Sequence, residues 1–267
     1  MLKIFIILSF GLLFSELVNS KPASVPNERQ VEFLHRIMPL KTNIGQVGGL
    51  DTDMDGNLVV FHRGSRKWAF DSFFNDNFNT LRYGPIKEDV LSLIDADTGK
   101  EVDSWGKNTF YMPHGLTVDY NDNIWMTDVA LHQVFKFNLK KSDEPLLVLG
   151  TRFEKGNDEK HFCKPSSVVV AQLTDDIFVA DGYCNRRVVQ FNKHGKFVKE
   201  FEDKDQAMFV VHSILLLEEE NLVCAASRED GRYFKTLIKD FFLNFNYQFV
   251  LSQELSALTL IPAINVL

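Results

Sequence analysis

Four stretches of this chain follow one plan when stacked, and no other feature limits its fold so tightly. They are "GGLDTDMDGNLVVFHRG", "HGLTVDYNDNIWMTDVALHQVFKFN", "SSVVVAQLTDDIFVADGYCNRRVVQFNKHGKFVKEF" and "HSILLLEEENLVCAASREDGRYFKT". In each, an alternating strand leads to an acidic or Asn/Gly turn; a second strand such as 124–127 follows, and then a third such as 133–138. The unit recurs about every 45 to 53 residues. So small a sheet cannot bury both faces alone, so neighbours must stack, and radial closure into a β-propeller is the usual solution for four-stranded blades. "VLSLIDADTGKEVDSWG" adds a hairpin ahead of His114. The expectation is an all-β chain with about four recognisable blades over residues 44–235.

Two regions break the plan. Residues 66–87 are aromatic and Asn-rich, with "FFNDNFN" among them, and read as a long loop rising from one propeller face. Residues 236–267 form a divergent hydrophobic tail; from residue 241 onward its only formal charge is Glu254 and it shows no blade pattern. Asn, Gln and Ser interrupt it, which favours a makeshift strand pair or a poorly packed end over a membrane span.

With 45% hydrophobic residues in 267, the chain can build one sizeable core. A formal charge of −7 gives no basic excess for nucleic acid. Lys3, an apolar run over residues 4–13 and short residues at Val18 and Ser20 read as a secretory signal peptide over residues 1–20, followed by an N-terminal segment over 21–43. The run falls short of the roughly 20 apolar residues of a membrane span, so secretion is expected rather than anchoring. Cysteines pair in that compartment. Cys163 and Cys184 flank one strand-rich unit and are the expected couple, closing a loop of about 20 residues worth roughly 3 kcal/mol. Cys224 is left over or pairs with another chain. No Asn-x-Ser/Thr acceptor occurs.

Several segments together carry a family resemblance. "FHRG", "YGPIKEDVLSLID", "GKNTFYMPHGLTVD", "TDVALHQVFK", "HFCKP" and "DGYCNRRVVQF" resemble, in order, segments of the peptidyl-α-hydroxyglycine α-amidating lyases, over about residues 44–235. The resemblance implies a six-bladed NHL-type propeller, incomplete here, and cleavage of peptidyl-α-hydroxyglycine to a peptide amide and glyoxylate in C-terminal amidation of hormones and neuropeptides. It also implies a functional partner, the peptidylglycine hydroxylating monooxygenase that makes the substrate.

The same resemblance implies site residues. Zinc is held in that family by three histidines, matched here by His114 and His212, each expected just before the inner strand of a blade; no histidine follows His212. Calcium is held by backbone carbonyls matching Leu50 and Leu116 and by an aspartate from a later region; as side chains, both leucines read as core. Tyr183 matches the base, Arg63 its catalytic and carboxylate-binding partner, and Arg228 an arginine facing the site. Ser227 replaces an aspartate, and Lys235 stands where the partner of Cys224 is expected. His62 and His132 match histidines that are not ligands and are expected to serve structure. Without the resemblance, Tyr183 would read as a ring packed on the Cys163–Cys184 bridge and Arg63 as a surface ion pair. Two competing readings remain: a truncated, catalytically impaired relative, and a non-catalytic propeller that binds protein.

Overall fold

The computed structural model describes residues 44–140, 144–202 and 208–238; the predicted signal peptide, the 21–43 segment and the tail from 239 onward lie outside them. All described regular structure is β. The first blade is β1 (Val47–Thr52), β2 (Leu58–His62), β5 (Leu91–Ile94) and β6 (Glu101–Trp105), with a small hairpin, β3 (Phe73–Phe74) and β4 (Asn77–Phe78), inserted between β2 and β5. The second is β7 (Pro113–Val118), β8 (Asn123–Asp128), β9 (Gln133–Asn138) and β10 (Leu147–Leu149). The third is β11 (Pro165–Val170), β12 (Ile177–Asp181), β13 (Arg187–Phe191) and β14 (Phe197–Phe201). The fourth shows three strands among the described residues: β15 (Val211–Leu217), β16 (Leu222–Ser227) and β17 (Arg232–Leu237). Every pairing is antiparallel between successive strands of a blade.

Turn chemistry repeats with the blades. Gly56, Asp122, Asp175 and Asn221 sit at the same place in the four inner hairpins, each with φ between 55° and 84°, a region Gly, Asn and Asp enter at least cost. Asp53 accepts N–H bonds from Asp55 and Asn57, and Asp119 accepts them from Asn121 and Asn123 at the same spacing. The acidic turns of the first two blades are thus Asx turns that fix those hairpins' register, while the third uses the Thr174 hydroxyl, which accepts from the Asp176 N–H.

The middle strands β8 and β12 are buried on both faces, because each lies between neighbouring blades, whereas β16 alternates half-buried and buried positions. On β8, Ile124 and Met126 face a core shared with Phe61, Phe110 and Phe135 of the first two blades. Trp125, between them, faces Val168, Val179 and Val189 of the third. On β12 the same alternation sends Val179 back to that core and Phe178 forward to Val211 and Val223 of the fourth. This explains why "IFVAD" reads as a continuous apolar run rather than a half-polar one.

The inner strands approach closely. A Cβ on Gly115 would lie 2.6 Å from the Ser166 carbonyl oxygen, and one on Gly182 would lie 1.9 Å from that of Val211. These glycines, flanking His114 and Tyr183 in sequence, let neighbouring blades meet where the site lies. Each inner strand also carries a bulge there, at Val47/Gly49, Pro113/Leu116, Pro165/Ser167 and Val211/Ser213.

Three expectations change. The first repeat interval is longer than the expected 45 to 53 residues because of the insertion between β2 and β5. Residues 66–87 are not a loop standing off a face. They carry β3 and β4 and bury Phe78 at 7% exposure among Met112, Val129 and Ala130. Leu50 is not a core residue: it is 57% exposed, since Gly49 faces Leu116 and alternation turns Leu50 the other way. Leu116 is buried as expected.

Candidate active site

His114 and His212 do not precede their inner strands but are the second residues of β7 and β15, within the bulges. Gly48 and Ser166 hold the same position in β1 and β11. A bulge re-aims the side chain that follows it, and here it turns two histidines from alternate blades toward each other. Their ring centroids are 4.9 Å apart.

Tyr183 stands between them. Its hydroxyl lies 2.8 Å from His114 Nε2 and 3.3 Å from His212 Nε2. Arg228 Nη1 donates to the same oxygen at 3.2 Å, with its guanidinium 5.3 Å from the Tyr183 ring centre. Four groups from three blades thereby meet at one oxygen. His114 Nδ1 donates to the Ser166 carbonyl at 2.8 Å, which fixes the tautomer and leaves Nε2 as the acceptor facing Tyr183.

Both imidazoles are neutral at ordinary pH. Burial pushes the pKa of His114 down to about 3, and neighbouring His212 and Arg63 push the same way. Burial and then Arg228 lower that of His212 to about 4. Two neutral imidazole nitrogens aimed at one point, one of them oriented from behind by a carbonyl, fit the donor chemistry of a borderline divalent cation. Among the described residues the one other cluster with ligand spacing is Asp76, Cys163 and Cys184, and its two sulfurs are joined in a disulfide.

Burial raises the Tyr183 pKa above its ordinary value, although the guanidiniums of Arg228 and Arg63 act against that. The phenol is therefore protonated at neutral pH and donates to His114 Nε2. Arg63 is buried rather than in a surface ion pair. Its Nε donates to the Pro113 carbonyl at 2.9 Å and its Nη1 to Gln46 Oε1 at 3.0 Å. The Tyr183 ring packs on Trp68, centroids 5.1 Å apart.

The remaining residues have clear places. Cys163 and Cys184 are bonded, with Cα atoms 5.4 Å apart, and tie the loop entering β11 to the loop that carries Tyr183. Cys224 is free and stands opposite Lys235 in the β16–β17 register, so no bridge can form across that pair. Leu50 and Leu116 are each the fourth residue of their inner strands. His62 accepts from the Gly64 N–H and bonds Ser92, and His132 Nδ1 accepts from the Lys164 N–H. Among the described residues neither is hydrogen-bonded to a member of the four-group cluster.

Sequence reasoning missed the carboxylates that hold the site's loops. Asp128, at the end of β8, accepts N–H bonds from Tyr111, Met112, Ala130 and Leu131 and so fixes the approach to His114. Asp181, at the end of β12, accepts from Cys163 N and Arg187 Nε. Both are wholly buried. Burial raises the pKa of Asp181 to about 6, with Arg187 opposing; given that ion pair, we read it as ionised at neutral pH. "TD" and "AD" at one place in successive repeats were the available signal.

Stacked antiparallel blades, with a polar site built from their inner strands and from the segments leaving their middle strands, define a β-propeller protein. Solved structures share that architecture: hydrazine synthase of Kuenenia stuttgartiensis (TM-score 0.52, 11% identity, 76% of this chain and 49% of that one) and the nidogen/laminin complex (TM-score 0.51, 11% identity, 71% and 60%). These are likenesses of fold alone. No protein-family model matches the chain. Over 71% of its length it is 46% identical to peptidyl-alpha-hydroxyglycine alpha-amidating lyase 2 of Drosophila melanogaster, covering 47% of that protein. Over 77% it is 40% identical to the probable lyase pgal-1 of Caenorhabditis elegans, covering 59%, and over 74% it is 44% identical to the peptidyl-glycine alpha-amidating monooxygenase of Mus musculus, covering 21%. The chain is a homologue of the peptidyl-α-hydroxyglycine α-amidating lyases, and it spans less than two thirds of these relatives' own length.

Proposed function

We propose that the chain cleaves peptidyl-α-hydroxyglycine to a peptide amide and glyoxylate, with Tyr183, Arg63, Arg228, His114 and His212 as the working groups. The observation that carries this reading is the convergence of two imidazole nitrogens and a guanidinium on the Tyr183 hydroxyl. In the reaction the substrate hydroxyl loses its proton, its oxygen becomes the aldehyde oxygen of glyoxylate, the C–N bond breaks, and the departing amide nitrogen takes a proton. Atoms and charge balance without an oxidant.

His114 and His212 would hold a zinc ion, which when bound supplies a Lewis acid for the substrate hydroxyl and positive charge beside the phenol. Tyr183 then takes the hydroxyl proton; Arg228, hydrogen-bonded to its oxygen, favours the phenolate. Arg63 is locked by Pro113 and Gln46 on one edge, and no bond to its Nη2 occurs among the described residues, which suits it to the substrate carboxylate. The carbonyls of Leu50 and Leu116 would hold calcium, a hard cation suited to carbonyl oxygen. The supplier of the substrate is a hydroxylation of peptidylglycine, and the Cys163–Cys184 bridge supports a secreted chain.

A second reading, an impaired relative, is favoured by a single observation: only two imidazoles converge among the described residues, where catalytic zinc ordinarily has three protein ligands. Zinc content and glyoxylate release, measured on folded protein, separate the two. Zinc-dependent glyoxylate release that falls at least about 100-fold in Tyr183→Phe supports the lyase. Absence of both zinc and glyoxylate, or full activity in Tyr183→Phe, overturns the proposed chemistry.

A further inference from the structure

We propose that the 66–87 insertion is a fixed wall of the site, and that Trp68 on it is the positioning residue for Tyr183, latched in place by the Asp76–Lys164 ion pair. The kinetic part of this inference rests on the lyase reading above.

The insertion is rigid on its own terms. Its hairpin turns at Asn75 and Asp76, both at positive φ (44° and 64°), the geometry of a tight two-residue turn. Trp68, Phe73, Phe78 and Tyr83 follow one another at ring separations of 5.1, 5.5 and 6.0 Å. Arg66 stacks on Tyr83 at 4.8 Å and donates to the Gly84 carbonyl, closing the base.

Its tip is tied to the loop that reaches Tyr183. Lys164 Nζ donates to Asp76 Oδ1 at 2.6 Å and lies over the Phe73 and Tyr183 rings at 5.0 and 5.9 Å. Lys155 bonds the Asn75 carbonyl beside it. Lys164 follows Cys163, whose disulfide partner Cys184 follows Tyr183. Hairpin tip and phenol are therefore anchored to the same two residues.

Trp68 connects this frame to the chemistry. Its ring lies 5.1 Å from that of Tyr183, 6.4 Å from that of His114, and 5.4 Å from the Arg63 guanidinium carbon. One side chain from the insertion so touches three site groups drawn from three blades. Hydrogen bonds fix the Tyr183 oxygen, but a hydroxyl can rotate about a ring that tilts. Trp68 and the Arg228 guanidinium both lie against that ring, 5.1 and 5.3 Å from its centre, and limit its tilt.

The test uses the full chain loaded with zinc, with two readouts: nitration of Tyr183 by tetranitromethane, mapped by mass spectrometry, and kcat and KM on a peptidyl-α-hydroxyglycine. Trp68→Ala should speed nitration and lower kcat about 100-fold with little change in KM, the scale of a misplacement near 1 Å. Trp68→Phe should restore most of both. Asp76→Ala, at a half-exposed tip where folding is not at stake, should move both readouts in the same direction by less, and the swap Asp76→Lys with Lys164→Asp should restore them. Nitration unchanged in both Trp68→Ala and Asp76→Ala, or faster nitration with unaltered kcat, overturns the inference. A wild-type chain that releases no glyoxylate sinks the lyase reading instead, and nitration alone then decides the positioning role.

Discussion

Blades two and four carry a histidine at the same bulged position, yet they hold it differently. His114 is 7% exposed and its Nδ1 is bound by the Ser166 carbonyl of the third blade. His212 is half-buried, and among the described residues its Nδ1 has only the adjacent Ser213 hydroxyl at 3.3 Å. The loops behind them differ likewise. Asp128 gathers four backbone N–H groups, whereas Ser227 at the equivalent place accepts one, from Phe209, and donates in turn to Asp230 or the Phe209 carbonyl. A site residue here owes its rigidity to the blade that follows it and to the polar group closing its own entry loop.

If that is so, the two histidines are unequal metal ligands. His114→Ala should weaken zinc binding by more than about 100-fold, and His212→Ala by less, because a ligand oriented from behind loses less freedom on binding. Competition against a chromophoric chelator measures both. Equal losses would break the comparison at its centre.

The loop clamps come next in size. Asp128→Ala strands up to four buried N–H groups, whose desolvation costs about 1–3 kcal/mol each before relaxation, so a net loss of about 3 kcal/mol is expected. Ser227→Ala removes one such acceptor and should cost about 1 kcal/mol. Denaturant midpoints at constant slope give both numbers. A Ser227→Ala loss as large as that of Asp128→Ala would mean that the fourth blade is clamped as tightly as the second.

How much of this was legible follows from which interactions are local. Blade strands, Asx turns and the Cys163–Cys184 bridge repeat or close within short stretches, and period-2 alternation exposes them. His114, His212, Tyr183, Arg63 and Arg228 came from resemblance, since nothing in the spacing of residues 63, 114, 183, 212 and 228 places them together. Trp68 was hidden for the opposite reason. Its neighbours Phe70 and Phe74 are 98% and 62% exposed, so the segment looks like an aromatic surface loop, and only the long-range contacts with Tyr183, His114 and Arg63 distinguish it. Leu50 was misplaced because apolar character does not reveal which face of β1 a bulge has turned inward.

The smallest difference between these blades concerns acid. The residue before the third strand takes positive φ in both, 57° at His132 in the second blade and 61° at Gly231 in the fourth. Glycine does this freely, whereas His132 is wholly buried there, with Nδ1 accepting the Lys164 N–H and no partner for Nε2 among the described residues. Burial, and then the charges of Lys164 and Lys155, lower its pKa to about 4. The unfolded chain, near 6.5, binds that proton first, so this contribution is fully present above pH 6.5 and is lost as pH falls toward 4. By pH 5 the loss is about 2 kcal/mol. His132→Asn tolerates the left-handed backbone and keeps an acceptor for Lys164 while removing the titration, so it should shrink the stability difference between pH 7 and pH 5 by about that amount. Because His114 and His212 also have lowered pKa values, the variant should retain their share of the acid sensitivity. A pH 7 to pH 5 difference unchanged in His132→Asn would place the acid-sensitive element at the histidine pair instead of in the wall of the second blade.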